Sequence, residues 1–267
     1  MTLIPYIPGR SAGHPILRGK AFPKLSRVRR ASLLLCLASM LSLLPGCQSI
    51  TGNTPAALVR VIDATPDAHT VDVYQGNGIV AYNLGLGTVT SYVSVAPGTY
   101  STVINFAGTR QQIVSANSTF SGGGQYTVIL GNYSVNLQEM ILKDQTEPAR
   151  QGQIALRFVA QATRATAVDV YLIPSGSTIA AVHPFLTNVS FGTNTGYLNV
   201  PAGTYTLAVL PSGATPRVAG ATLYTSSAIA YPSGSAKTFV LIDQPPLPMA
   251  GLQVIAASDY DPSSPNN

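Results

Sequence analysis

Asp63, Asp67 and Asp72, followed by Asn77, bring hard oxygen donors together in one short stretch of chain. Groups of this kind on adjoining loops are the ligands that calcium takes. Their spacing matches no calcium-binding loop, and a second use is open to them. Asp63 and Asp67 can accept backbone N–H bonds and cap the turn at Thr65-Pro66. Asp72 has a different context. It lies inside Val71-Asp72-Val73-Tyr74, which returns as Val168-Asp169-Val170-Tyr171, and an arginine stands twelve residues before each aspartate, Arg60 and Arg157. The constant separation leads us to expect structural pairs, Arg60 with Asp72 and Arg157 with Asp169, each bridging the first two strands of its copy. Asp63 and Asp67 have Ala160 and Arg164 at the matching places of the second copy.

Other motifs carry less chemistry. Gly76-Asn77-Gly78-Ile79-Val80-Ala81 has the letters of a dinucleotide fingerprint, but that motif must open a helix. Gly85 and Gly87 follow within ten residues and no acid appears until Glu139, so the stretch reads as a hairpin turn. Gly122-Gly123-Gly124 lacks the Lys-Ser/Thr of a phosphate loop and reads as a connection. His69 and His183, the two histidines after Cys47, sit at non-equivalent places. Tyr100 and Tyr205 follow the same kind of turn and read as corners, although exposed tyrosines can also stack on sugars. No catalytic residue, metal or cofactor is assigned, and the chain is not expected to be an enzyme.

Cys47 is the residue whose surroundings define a modification. It ends Leu44-Pro45-Gly46-Cys47, directly after the apolar run from Ala31 to Leu44, and all seven basic residues of the first 46 positions precede that run. A basic segment, a short apolar segment and a small residue before the cut make a secretory signal. The run is too short for a membrane-spanning helix, which needs ~20 residues. The tetrapeptide resembles the bacterial lipobox, in which the cysteine sulfur takes a diacylglyceryl group before cleavage. The resemblance implies a signal over residues 1–46, lipidation at Cys47, and the membrane as a partner through that lipid. Gln48 resembles the outer-membrane default of Gram-negative lipoproteins.

This segment also accounts for the charge. The whole chain is +5, but from Cys47 onward eight Lys and Arg stand against ten Asp and Glu. The basic pI therefore belongs to the export segment and is no sign of nucleic-acid binding. Cys36 and Cys47 are the two cysteines, so the chain beyond the signal has neither a disulfide nor a cysteine-based metal site.

The elements that must position these residues are strands. Segments rich in Val, Ile, Thr and Tyr recur between Gly, Pro and Asn, and no stretch keeps helical periodicity over three turns. In the second copy strands are expected near Thr178–Val182 and Arg217–Tyr224. The copies share further landmarks. Pro97-Gly98-Thr99-Tyr100 is echoed by Ala202-Gly203-Thr204-Tyr205, and Leu137-Gln138 before Asp144 by Leu252-Gln253 before Asp259. The spacing drifts from 97 residues at Val-Asp-Val-Tyr to 115 at Leu-Gln, so the second copy holds longer loops. A period of this size fits two tandem domains. We expect an all-β chain of two immunoglobulin-like β-sandwiches, a tether at 47–56, domains at 57–145 and 153–260, and a disordered tail at 261–267. The polar joint at 143–152 is expected to separate two independent cores.

Val61-Ile62-Asp63-Ala64-Thr65-Pro66-Asp67-Ala68, then Val71 to Tyr74, then Pro97 to Tyr100, resemble the bacterial DUF4397 family, a domain of unknown function found in secreted and cell-surface proteins. The resemblance covers most of residues 57–260. It implies a sandwich-like fold and an envelope setting, and brings no catalytic residues. The function expected is a lipid-anchored structural or binding module of the cell envelope. The alternative is a carbohydrate-binding or adhesion module, with envelope proteins or polysaccharide as partners, and behind it stands an envelope enzyme with an atypical site.

Overall fold

The computed structural model describes residues 54–216, 220–244 and 251–263. The export segment and Cys47 lie outside the described residues. What is described is built of strands, with two single-turn 3-10 segments, Ser134–Asn136 and Ile179–Ala181.

Among the described residues seventeen strands form four sheets, two to a sandwich. In the first sandwich one sheet runs β4 (Val93–Val95), β1 (Ala57–Asp63), β7 (Gln125–Gly131), β8 (Gln138–Lys143). Its other sheet runs β3 (Gly78–Leu84), β2 (Val71–Gln75), β5 (Gly98–Phe106), β6 (Gln112–Phe120). The second sandwich repeats this order. Its first sheet is β12 (Asn194–Pro201), β9 (Gln153–Ala160), β16 (Ala236–Asp243), β17 (Leu252–Tyr260). Its second is β11 (Leu186–Val189), β10 (Val168–Pro174), β13 (Gly203–Pro211), β14 (Tyr224–Thr225), with β15 (Ile229–Tyr231) also on β13. The pairs β1–β7 and β9–β16 are parallel and the rest antiparallel. The architecture is immunoglobulin-like, two sheets face to face over one core, with this particular strand order.

Two details of the second copy differ from the sequence expectation. The segment expected as a strand at Thr178–Val182 is a 3-10 turn at Ile179–Ala181, and the strand that pairs with β10 comes later, at Leu186–Val189. The strand expected at Arg217–Tyr224 lies in part, over 217–219, outside the described residues; residues 220–223 are not strand, and the short β14 and β15 follow. Pro184 stands just after the first segment and Pro216 just before the second, and a proline, which has no ladder donor, does not let a paired strand run on through it.

Alternation along the strands explains how the chain packs. In β1, Ala57, Val59 and Val61 enter the first core, while Ile62 lies on the opposite face. In β7, Tyr126, Val128 and Leu130 do the same, with Ile129 opposite. The second sandwich matches this: Leu156 and Phe158 of β9 face its core, whereas Val159 faces out. Side chains with a period of two should give one wet face on a sheet covered on one side only. Here the outer faces are dry because they meet each other. Ile62, Ala64, Ile129 and Leu142 of the first sandwich form one buried cluster with Val159, Val240, Ile242, Ile255 and Ala257 of the second. The joint at 143–152 therefore does not separate independent cores, contrary to expectation. It connects two sandwiches that share a third core.

Candidate functional site

The polar residues of interest fall into three groups, and strand parity decides where each one points.

The first group is the interface itself. Arg60 points away from the core of its own sandwich, on the same face as Ile62. Its Nε donates to Thr127 Oγ1 at 2.8 Å, its Nη1 to the Ser258 carbonyl at 2.7 Å, and its Nη2 to Asp259 Oδ1. Arg157 mirrors this from the other side, donating to Thr238 Oγ1 at 2.9 Å, the Lys143 carbonyl at 3.0 Å and Asp144 Oδ1 at 2.5 Å. The two threonines tie each carboxylate to its own sandwich, Thr127 to Asp144 at 2.6 Å and Thr238 to Asp259 at 2.7 Å. Tyr92 and Tyr197 lie under the two guanidinium groups, each ring centroid 4.7 Å from the arginine Cζ, a cation–π arrangement. Both arginines and both aspartates are buried. Burial raises the Asp259 carboxyl above the usual carboxylate range, and the nearby Arg60 charge pulls it back down in part. The two copies thus exchange ion pairs about a pseudo-twofold axis.

This overturns the expected pairing of Arg60 with Asp72 and of Arg157 with Asp169. Val71 and Val73 face the first core, so Asp72 lies on the outer face of its sheet. Arg60 lies on the outer face of the other sheet, and the whole sandwich stands between them. Asp72 instead accepts the backbone N–H groups of Asn83 at 2.8 Å and Gly108 at 3.0 Å. Asp169 accepts those of Asn188 at 2.8 Å and Gly213 at 2.9 Å. Asn83 and Asn188 have φ of 51° and 54°, and Gly108 and Gly213 have 69° and 75°. Each repeated aspartate therefore pins two left-handed turn positions, which a carboxylate can do by accepting from both exposed amides at once. Burial alone would raise the Asp169 carboxyl; the bonds from Asn188 and Gly213 outweigh it and leave the group below its ordinary value.

The second group is Asp63 and Asp67, the calcium candidates. Asp63 Oδ1 accepts from the Thr65 N–H at 2.8 Å and from its hydroxyl, while Oδ2 is buried without a partner. Asp67 accepts from the backbone and hydroxyl of Ser134 at 2.7 and 2.9 Å, tying the loop after β1 to the turn after β7. Among the described residues no group of three or more His, Cys, Asp or Glu could hold a metal ion. The second copy fastens its corresponding loop from another strand: Asp243, at the end of β16, accepts from Thr163 and pairs with Arg164.

Burial raises the Asp63 carboxyl from 3.8 to about 6. The folded state therefore holds a proton that the unfolded chain releases. That stabilisation is fully present below pH ~3.8 and is lost as the pH rises through about 6. Asp63→Asn removes the titration, so urea melts should show the variant gaining ~2–3 kcal/mol on the wild type between pH 4 and pH 8, on top of any pH-independent cost of the amide. A difference that stays flat across that range would contradict this.

The third group was not singled out by sequence. Gln75 ends β2 on the same face as Val71 and Val73, directly opposite Thr102 of β5. Thr102 and Ser118 share a hydrogen bond of 2.5 Å, and Ser118 donates to Glu139 Oε1 at 2.9 Å. Gln75, Thr102 and Ser118 are buried, and the Gln75 amide and Glu139 Oε2 find no partner within the protein. Burial raises the Glu139 carboxyl, and the bonds from Ser118 and Thr102 offset part of that. Beside Gln75 a cleft of about 290 Å³ opens between the edge strands β3 and β4. Tyr100 forms part of its wall. Its hydroxyl donates to the Ala96 carbonyl at 2.8 Å, and Tyr205 repeats this bond to Pro201 at 2.9 Å, which makes both tyrosines corners of their sandwiches.

Comparison with known proteins bears on fold and family. No curated protein matches the chain. A solved structure of an α-glucan-binding streptococcal virulence factor shares 8% identity over 69% of this chain and 93% of its own, with a TM-score of 0.23. A family 26 carbohydrate-binding module from Eubacterium rectale, solved with maltoheptaose, shares 11% over 78% and 98%, with a TM-score of 0.22. Likenesses this loose carry no argument about what the chain binds. The family model described as a domain of unknown function, DUF4397, matches residues 57–171 and 177–267, and the chain belongs to that family, in two tandem copies.

Proposed function

We propose that the protein is a lipid-anchored module of the cell envelope, held to the membrane, and by the identity of Gln48 to an outer membrane, through Cys47. It presents its two sandwiches as one rigid structural or binding unit. The observation that carries this reading is the interface, where buried ion pairs and a shared apolar core leave the sandwiches no freedom to move as beads on a string. The charged residues repeated between the copies all serve that interface or the turns, which favours a scaffold over catalytic machinery. Fixed geometry lowers the entropic cost of engaging a ligand or partner.

Anchoring is tested by Cys47→Ser. The variant should leave the detergent phase in a phase-separation assay and accumulate as uncleaved or soluble protein. A variant that stays in the detergent phase at wild-type size would contradict the lipid anchor. The binding reading gains from one further observation, the polar set inside the first sandwich, which the second sandwich lacks.

A further inference from the structure

The first sandwich carries polar side chains where the second, at the same register, carries apolar ones. Gln75 faces Thr102 across β2 and β5, and Leu172 faces Leu207 across β10 and β13. Glu139 lies opposite Leu130, and Val254 opposite Leu241. Leu172, Leu207 and Val254 all pack into the second core, so the fold does not need polar groups there. A buried amide that uses neither its donors nor its acceptor opposes folding, because it has lost its bonds to water. Gln75 is 5% exposed, and neither Oε1 nor Nε2 has a partner. The same residue lines the cleft between β3 and β4, together with Asn77, Ile79, Val93, Ser94 and Tyr100.

We propose that this cleft binds a neutral pyranose sugar, free or at the end of a glycan, through the Gln75 amide. The proposal rests on the reading of the protein as a binding module and names the ligand class of that module. No charged side chain lines the cleft, so nothing there would compensate a charged ligand. At about 290 Å³ it falls just below the usual span of small-molecule sites, roughly 300–1,000 Å³. That volume suits one sugar-sized group. An amide offers an N–H donor and a carbonyl acceptor side by side in one plane. Adjacent ring hydroxyls match it, one accepting from Nε2 and the other donating to Oε1, once the side chain turns from its enclosed position toward the cleft. Ser94 and Asn77 offer further hydrogen bonds at the mouth, and Ile79 and Val93 offer apolar surface to the C–H faces of the ring. Tyr100 is held by its bond to Ala96 and serves as a fixed wall.

The test uses the full chain, lipid included, in a detergent without a sugar head group, with 15N in the glutamine side chains. Glucose, galactose, mannose and N-acetylglucosamine are titrated, with a linear trimer of each and a pool of neutral hexapeptides for comparison. At least one sugar should shift the Gln75 amide signal saturably. Equal binding of ring and trimer would support a single-ring site, and tighter binding of the trimer a glycan end. Gln75→Leu, which installs the residue of the second copy, should weaken binding at least tenfold while raising the melting temperature by ~2–4 °C. Asn77→Ala, at the exposed mouth, should weaken binding severalfold and leave the melting temperature within ~2 °C. A saturable shift with peptides and none with sugars would overturn the ligand class. No shift with any probe, with Gln75→Leu merely stabilising the fold, would overturn the site. Sugar binding that survives Gln75→Leu would overturn the assignment to Gln75 while leaving the binding module standing.

Discussion

Arg60→Ala is expected to destabilise the full chain by about 3–5 kcal/mol, the range seen when one partner of a buried ion pair is removed. The loss does not come from the pair's own attraction, which desolvation largely cancels. It comes from what is left behind: an Asp259 carboxylate with no cation against it, a Ser258 carbonyl without its donor, and a Tyr92 ring with nothing above it. Arg157→Ala should cost a similar amount for the mirrored reasons, through Asp144, Lys143 and Tyr197. Urea denaturation of the full chain reads both effects. Since each arginine sits in one sandwich and the carboxylate it hydrogen-bonds in the other, with Asp144 of the first sandwich also 3.8 Å from Arg60, probes placed in either sandwich should report the same shifted midpoint. A loss below ~1 kcal/mol would mean the guanidinium is solvated in the folded protein.

The second large effect concerns the domains apart. A fragment of residues 54–145 is expected not to fold to a stable soluble monomer. It would expose Ile62, Ala64, Ile129 and Leu142 to water, and it would leave Arg60 and Asp144 without the partners the second sandwich supplies. Exposed apolar faces of this kind on a sheet lead to association. The fragment should therefore aggregate, or give a narrow amide proton spectrum with no cooperative melt. A well-dispersed spectrum and a melting temperature close to that of the full chain would show that the shared core contributes little.

How much of this was legible in the sequence depends on which residues are asked. The sandwich class followed from short Val-, Ile- and Thr-rich segments between turn residues, because period-two patterning is local and survives without tertiary information. The Pro-Gly-Thr-Tyr landmark and its echo, read as corners, are corners in the structure. The partner of Arg60 was not legible from spacing. Twelve residues separate it from Asp72 in one copy, as twelve separate Arg157 from Asp169 in the other. That regularity reflects the conserved length of the β1–β2 connection and not a contact. The informative fact was already in the repeat: Asp144 and Asp259 recur after Leu-Gln just as Arg60 and Arg157 recur. Two arginines and two aspartates at buried, repeated places must neutralise one another, and in a duplicated fold they can do so across the duplication as well as within it. Only strand parity, which sets Arg60 on the outer face with Ile62, chooses between those options. Gln75 was overlooked because it follows the repeated tetrapeptide instead of belonging to it; comparing it with Leu172 would have marked it. The relocation of the buried carboxylate from Asp63 to Asp243 stayed hidden because aligned positions differ even though neighbouring strand ends serve the same loop.

The sandwiches are locked by ion pairs exchanged between the copies. The most direct measurement is a pair of double-mutant cycles in the full chain by urea denaturation. Arg60→Ala combined with Asp259→Ala should lose less than the sum of the single losses, with a coupling energy of ~1.5–3 kcal/mol, as expected for residues in contact. Arg60→Ala combined with Asp72→Ala should be additive to within ~0.5 kcal/mol, as expected for residues with no shared partner. Additivity in the first cycle together with coupling in the second would contradict the account and put each arginine back within its own sandwich.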